Sequence, residues 1–154
     1  CGILVCEDAF HLSPALLLSI DGPEREGAGA LVIVSNSPAR GISGEANGVP
    51  ESHQVWENLI RTYSSLLGVV VIFANRGGVE DGLTFAGGSV IVAPGAKVLA
   101  EAELFHPGVI ETELDWPHLL RQYRIGNPGT VSENTELIHR ELQRILKASL
   151  DSGE

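Results

Sequence analysis

Cys6 is the residue of this chain best suited to chemistry. It ends a short apolar run, Gly2 to Val5, and is followed at once by two carboxylates, Glu7 and Asp8, ahead of the helix signal Ser13-Pro14. An apolar run that stops at a polar turn delivers its last residue to the carboxyl edge of a sheet, where open α/β sheets place their chemistry. Cysteine is also a fair nucleophile before any activation, with a few per cent thiolate at neutral pH. The plain alternative is a small core residue at a strand end. Two further runs stop in the same way: Ala30 to Val34 leads into Ser35-Asn36-Ser37-Pro38, and Val69 to Ala74 leads into Asn75-Arg76. Were these three strands neighbours in one sheet, their polar tips would form one rim.

The elements that must position this rim alternate along the chain. Ser13 is expected as N-cap with Pro14 at the first helical position, followed by an apolar face of Leu16, Leu17 and Ile20 and a stop at Asp21-Gly22-Pro23. Residues 39 to 50, rich in Gly, Ser and Asn, read as a loop. The strongest helix signal follows: Val55, Trp56, Leu59, Ile60, Tyr63, Leu66 and Leu67 fall on one 3.6-residue face, and Gly68 is placed to close it. Val69 to Ala74, β-branched and uninterrupted, reads as a buried strand. Gly77 to Gly88 reads as a glycine-rich segment, and Gly87-Gly88-Ser89 as a place of close backbone approach. Ser89 to Ala93 and Val98 to Glu103 flank Pro94-Gly95-Ala96-Lys97, the punctuation of a hairpin. Gly108 to Leu114 is a further strand candidate, and Asp115-Trp116-Pro117 opens a short helix to about Tyr123. A last helix is signalled by Thr130 with Glu133, or by Ser132, with an apolar face of Ile138, Leu142, Ile145, Leu146 and Leu150. The order is β-α-β-α-β, a hairpin, another strand and terminal helices, with no internal repeat.

Composition narrows the function classes. The 154 residues suit one domain, 44% hydrophobic and 19% charged, burying about 68–70% of the unfolded surface. A formal net charge of −10 argues against a nucleic-acid partner, which needs clustered Lys and Arg. No run of about 18 apolar residues offers a membrane span. A disulfide between Cys1 and Cys6 is geometrically poor, since five strand residues separate their Cα atoms by about 16 Å. Reduced thiols and a cytoplasmic setting are expected. The chain has no methionine and opens on Cys1 inside an apparent strand, which we read as the C-terminal piece of a longer polypeptide. The five histidines (His11, His53, His106, His118 and His139) show no metal-ligand spacing, and neither metal nor cofactor is expected. His11 is a formal candidate to activate Cys6, with a turn or packing role as the simpler reading. Gly77 to Gly82 has neither the spacing of a phosphate-binding loop nor a following helix.

Four motifs taken together carry a resemblance. They are Val5-Cys6-Glu7-Asp8; Asn36-Ser37-Pro38; the Trp-bearing helix leading into Val71-Ile72-Phe73-Ala74-Asn75-Arg76-Gly77-Gly78; and Glu80-Asp81-Gly82-Leu83-Thr84-Phe85-Ala86-Gly87-Gly88-Ser89 followed by a strand, Pro and Gly. In this order, from residue 2 to about 103, they resemble the carbon–nitrogen hydrolases, the nitrilase superfamily. The Cys-Glu-Asp form is most similar to its amidohydrolase-like branches and to the glutaminase domain of glutamine-dependent NAD synthetases. The resemblance implies a four-layer α-β-β-α sandwich, of which this chain is the C-terminal part, and a Glu-Lys-Cys triad. Cys6 matches the nucleophile, which attacks an amide or nitrile carbon to form a thioester or thioimidate that water then hydrolyses. The backbone N–H of Glu7 is expected in the oxyanion hole, a contact worth roughly 2.7–4 kcal/mol. Asn36 and Ser37 match the loop lining the acyl pocket, and Asn75 and Phe85 complete the expected substrate-binding set.

One departure is large. The family's general-base Glu and its Lys come from strands preceding the Cys motif, while the only lysines here are Lys97 and Lys147, both in other segments. A thiol without its base is mostly protonated at neutral pH. The expectation is an enzyme in the full-length parent, there a homo-oligomer acting on a small amide or nitrile, and an inactive piece on its own. The alternatives are a non-catalytic binding or assembly module with this fold, and an ammonia-supplying glutaminase domain.

Overall fold

The computed structural model describes residues 1–21, 27–41, 48–119 and 134–151. Strands β1 (Gly2–Val5), β2 (Ala30–Ser35) and β3 (Val70–Asn75) alternate with helices α1 (Leu12–Ile20) and α2 (Glu51–Leu66). A hairpin of β4 (Gly77–Glu80) and β5 (Leu83–Ala86) follows, then β6 (Val90–Ala93), β7 (Lys97–Glu101) and a terminal helix α3 (Thr135–Asp151). The main sheet runs β1-β2-β3-β6-β7, and β4-β5 stands apart as a two-stranded ribbon. β1, β2 and β3 are parallel, whereas β6 and β7 join antiparallel. Two successive crossovers between neighbouring parallel strands put α1 and α2 on one face of the sheet, because such connections share one hand. That face holds the core: Leu4, Leu31, Ile33, Val71, Phe73 and Val92 beneath Ala15, Trp56, Ile60 and Tyr63. Trp56 stacks on Phe73 with ring centroids 4.7 Å apart and meets Phe10 edge-on at 4.6 Å. These helices and this sheet are two layers of the four-layer α-β-β-α architecture.

Several elements differ from the sequence reading, each for a local reason. α1 starts two residues earlier, with His11 as N-cap and no side-chain cap, so Ser13 and Pro14 lie inside its first turn. There the first N–H groups have no intrahelical partner, and proline loses nothing. Its inward face is Ala15 and Leu18 rather than Leu16, Leu17 and Ile20, and Leu17 is 59% exposed. In α2, Trp56, Ile60 and Tyr63 are buried as expected with Leu59 and Leu67 packed beside them, while Val55 and Leu66 stay half exposed. Gly68 follows the helix at φ +70°, the left-handed C-terminal position that glycine fills without a Cβ penalty.

Most of the glycine-rich segment Gly77 to Gly88, to which the sequence reading assigned no element, is the β4-β5 hairpin, turning at Asp81-Gly82. Every β4 side chain is exposed, so the alternation that marks a half-buried strand is missing from the sequence. Gly88 does allow close approach, because a Cβ there would meet His53 Cε1 at 2.6 Å and Leu104 Cδ2 at 2.9 Å. The β6-β7 hairpin forms as expected, with a register shift at Ile91/Val92. Gly108 to Leu114 forms no strand; its apolar residues are too few to bury a face, and Val109 is 87% exposed. Residues 116–119 are helical. Thr130, Ser132 and Glu133, offered as cap signals for α3, and the Gly22-Pro23 stop lie outside the described residues. The N-cap contact observed on α3 is instead the Asn134 carboxamide, which accepts the Leu137 N–H at 2.9 Å.

Candidate active site

The parallel register decides what surrounds Cys6. Val5 pairs with Val34, and Ser35 with Asn75, so the three strands end side by side with Cys6 next to Ser35. The chain leaves β1 through a single turn of 3-10 helix, Cys6–Phe10. Cys6 itself takes φ +47°, a left-handed conformation that costs a non-glycine residue of order 1–3 kcal/mol and concentrates at functional sites. The turn is tied down on both sides. The Asp8 carboxylate accepts the Val5 N–H at 3.0 Å, and the Tyr63 hydroxyl, reaching across from α2, donates to the Ala9 carbonyl at 2.6 Å. Burial of Tyr63 raises its pKa and keeps the phenol neutral. With its backbone so held, the half-buried Cys6 thiol accepts a hydrogen bond from the Ser35 hydroxyl at 3.6 Å.

A cleft of about 580 Å³ opens beside the thiol, within the 300–1,000 Å³ range of small-molecule sites. Cys6 and Glu7 line it from the 3-10 turn, Asn36 and Ser37 from the loop after β2, and Arg40 a little further along that loop. Phe10, Val55 and Trp56 supply an apolar wall. Four residues singled out in the sequence, Cys6, Glu7, Asn36 and Ser37, are thus brought to one cavity.

Asn75 and Phe85 stand behind it. The Asn75 carboxamide bridges two backbones, accepting the Ser37 N–H at 3.0 Å and donating to the Gly87 carbonyl at 3.0 Å. The Asn75 backbone is in turn held by the Ser89 hydroxyl at 3.0 Å. Phe85 is 4% exposed, bridges Pro38 through its backbone and carries the Arg76 guanidinium over its ring at 4.7 Å. Arg76 also pairs with Glu80, which raises the arginine's pKa and lowers the carboxylate's. Both Asn75 and Phe85 therefore brace the loop after β2 from outside the cleft. His11 uses its backbone in the turn, its N–H donating to the Asp8 carbonyl at 3.3 Å.

Sequence reasoning set Ser35 on the polar rim without giving it a role, and passed over Tyr63 and Arg40. The signal for Ser35 was present in the parallel alignment of β1 and β2, which sets it beside Cys6. That for Tyr63 was not, because α2 was legible only as an apolar face. Neither lysine lines the cleft, where Glu7 and Arg40 are the charged residues among those described. Among the described residues, no cluster of His, Cys, Asp and Glu could hold a metal ion, and no helix is long and apolar enough to cross a membrane.

Comparison with known proteins bears on this geometry. The chain superposes on a carbon-nitrogen hydrolase from Helicobacter pylori G27 with a TM-score of 0.66 and 23% identity, covering 80% of this chain and 43% of that one. A variant of the amidase from Nesterenkonia sp. AN1, carrying the acetamide moiety of fluoroacetamide added covalently at its active-site cysteine, matches at TM-score 0.63 and 22% identity over 90% and 42% of the two chains. The glutamine-dependent NAD+ synthetase from Acinetobacter baumannii matches at TM-score 0.54 and 19% identity, over 69% of this chain and 18% of that one. The chain thus spans less than half the length of each of these structures. No curated protein sequence matches it. The carbon-nitrogen hydrolase family profile matches residues 24–124, a span that begins after Cys6 and covers most of the chain. With that match and the shared fold, the chain belongs to the carbon-nitrogen hydrolase family.

Proposed function

We propose that this chain supplies the nucleophile and part of the acyl pocket of a thiol amidohydrolase, with Cys6 forming a thioester to the substrate's acyl group. The observation that carries this is the backbone at Cys6: a left-handed residue at a strand end, fastened on both sides, with its sulfur against Ser35 and open to the cleft. The amidase with a covalent adduct at its active-site cysteine supports the same role.

In this reading the Cys6 thiolate attacks the amide carbon, and the carbonyl π pair moves onto oxygen. The Glu7 N–H helps hold that oxyanion. Collapse breaks the carbon–nitrogen bond, and the nitrogen leaves as ammonia or an amine after taking up a proton. Water then adds to the thioester carbon, the carbon–sulfur bond breaks, and the carboxylic acid is released with the thiolate restored. Ser35 holds the sulfur toward the cleft, and Asn75 fixes the Ser37 backbone of the acyl-pocket loop. The proton transfers need a general base, and beside the thiol the described residues of the cleft offer as charged groups only Glu7, the neighbour of Cys6, and Arg40. The base is therefore assigned to a carboxylate outside this chain's cleft lining, and the 154 residues alone are expected to be inactive.

In the full-length protein, Cys6→Ala should abolish amide hydrolysis while the thermal midpoint stays within a few degrees of wild type. Mass spectrometry of a quenched reaction should place the acyl adduct on the peptide containing Cys6. An adduct on Cys1, or hydrolysis surviving the substitution, would overturn the assignment.

A further inference from the structure

The cleft is polarised, and the polarity bears on which amide it takes. Glu7, an anion, lines the end that carries Cys6, and among the described residues Arg40 is the only cation lining the cleft. The Arg40 backbone is fixed at both of its polar groups by one residue of α2: its N–H donates to Ser52 Oγ at 3.0 Å, and its carbonyl accepts the Ser52 N–H at 3.2 Å. Ser52 Oγ also reaches the Pro38 carbonyl at 3.2 Å, and the Ala39 N–H donates to the Thr84 carbonyl at 2.7 Å. The loop from 38 to 41 is thus clamped between α2 and the β4-β5 hairpin, with the root of the Arg40 side chain held at the cleft. The guanidinium pairs with no acid among the described residues.

A cation so placed is notable in a chain of net charge −10. The general field repels anionic small molecules, so an anionic substrate needs a local, oriented donor to bind. Guanidinium supplies a planar fork that matches a carboxylate with two parallel hydrogen bonds. The apolar wall of Phe10, Val55 and Trp56 suits a short methylene chain between two polar ends. Glu7, beside the nucleophile, is an acceptor suited to the amide NH₂ and repels a carboxylate from that end.

Resting on the amidohydrolase reading above, we propose that the substrate is an amide whose acyl part carries a carboxylate, with that carboxylate seated on Arg40 and the amide carbon on Cys6. Arg40 is then the specificity-determining residue of the site. Chain direction also bounds the substrate: Arg40 lies five residues after Ser35, at most about 17 Å of extended backbone, so a small acid rather than a polymer spans the two groups.

The test compares glutaramate with pentanamide, the same acyl length with and without the carboxylate, on the full-length protein. Wild type should prefer glutaramate in kcat/KM. Arg40→Gln should lower that preference about 10–100-fold, mainly through KM, as expected for losing a charge-assisted hydrogen-bonded pair, and Arg40→Lys should restore part of it. Binding of glutaramate to the Cys6→Ala protein, followed by Trp56 fluorescence, gives a readout free of turnover. Saturable binding there that Arg40→Gln abolishes would support the carboxylate site even if no amide were hydrolysed, a result that would sink the hydrolase reading alone. Hydrolysis of both amides with a preference that Arg40→Gln leaves unchanged would overturn the carboxylate site and keep the hydrolase. Neither binding nor hydrolysis of either amide would overturn both.

Discussion

The two faces of the main sheet are made of the same residue types and have opposite fates. On one face Leu4, Leu31, Ile33, Val71, Phe73 and Val92 lie at 2% exposure or less beneath α1 and α2. On the other, Ile3, Val5 and Val34 are 65%, 61% and 48% exposed, with Val32, Ile72 and Ile91 partly covered beside them. Register makes this second set one continuous surface, since Ile3 pairs with Val32, Val32 with Ile72, and Ile72 with Ile91. Polar alternation is what a sheet shows when one side is meant for water; near-continuous β-branched runs belong to strands covered on both sides. Among the described residues this second face stays open to solvent at Ile3, Val5 and Val34 and is only partly covered at Val32, Ile72 and Ile91. The comparison also locates the site: Ser35 continues the covered row Leu31, Ile33, and Tyr63 comes down from α2, so the contacts on the Cys6 turn come from the helical side.

The largest effect should come from the middle of the covered face. Phe73 is 2% exposed, pairs with both Ile33 and Val90, and stacks on Trp56. Phe73→Ala removes a ring and leaves a cavity under the cleft's own Trp56, which should cost about 3–5 kcal/mol. Urea unfolding of the full-length protein measures it. A loss under about 1 kcal/mol would mean that the two faces contribute alike and that the asymmetry is only one of exposure.

A smaller effect tests whether the helical side holds the Cys6 turn. Tyr63→Phe leaves the carbonyl of fully buried Ala9 without its 2.6 Å donor, at a cost of about 1–3 kcal/mol. Because burial raises the tyrosine's pKa, the folded chain holds the phenolic proton more tightly than the unfolded one. Its stabilising contribution is therefore complete below the unfolded value, about pH 10, and fades as pH rises through the higher folded value. The gap between wild type and Tyr63→Phe in thermal melts should stay constant from pH 7 to 9 and narrow above that. A gap that widens with alkali would show that the hydroxyl does not act as a neutral donor to the turn.

How far the sequence foretold all this depends on what each feature leaves in a linear pattern. The three parallel strands and α2 were legible because burial wrote long apolar runs and one 3.6-residue face. Cys6, Glu7, Asn36 and Ser37 were legible as a group because they follow strand ends, and parallel strands bring such ends together. The β4-β5 ribbon was not, because its exposed Gly77-Gly78-Val79-Glu80 carries no apolar period. α1 was legible as a helix but neither its start nor its inward face was, since in Leu12–Ile20 leucine and isoleucine surround the axis and the small Ala15 is the residue fully buried. The contact of Tyr63 with the Cys6 turn and the place of Arg40 at the cleft depend on distances between elements, which no spacing along the chain records.

The smallest expected effect on stability belongs to the bare face, and there a small number is the informative one. Val5 and Val34 are direct neighbours across β1 and β2 with side chains largely in water. Threonine keeps their shape and β-branching and exchanges one methyl for a hydroxyl. In the expressed 154-residue chain, Val5→Thr with Val34→Thr should change unfolding free energy by no more than about 0.5 kcal/mol, the range of exposed substitutions. The same pair should reduce self-association, because contiguous exposed apolar surface recruits other chains; size-exclusion chromatography with light scattering reads this as a shift toward about 16 kDa, the mass of one chain. In the full-length protein the substitutions should behave oppositely. If a second sheet of the four-layer fold covers this face, each buried hydroxyl without a partner costs about 1–3 kcal/mol. Equal and small losses in both contexts would leave the face open to water in the full-length protein, and a sharp monomer peak for the unmodified 154-residue chain would show that its apolar surface needs no cover.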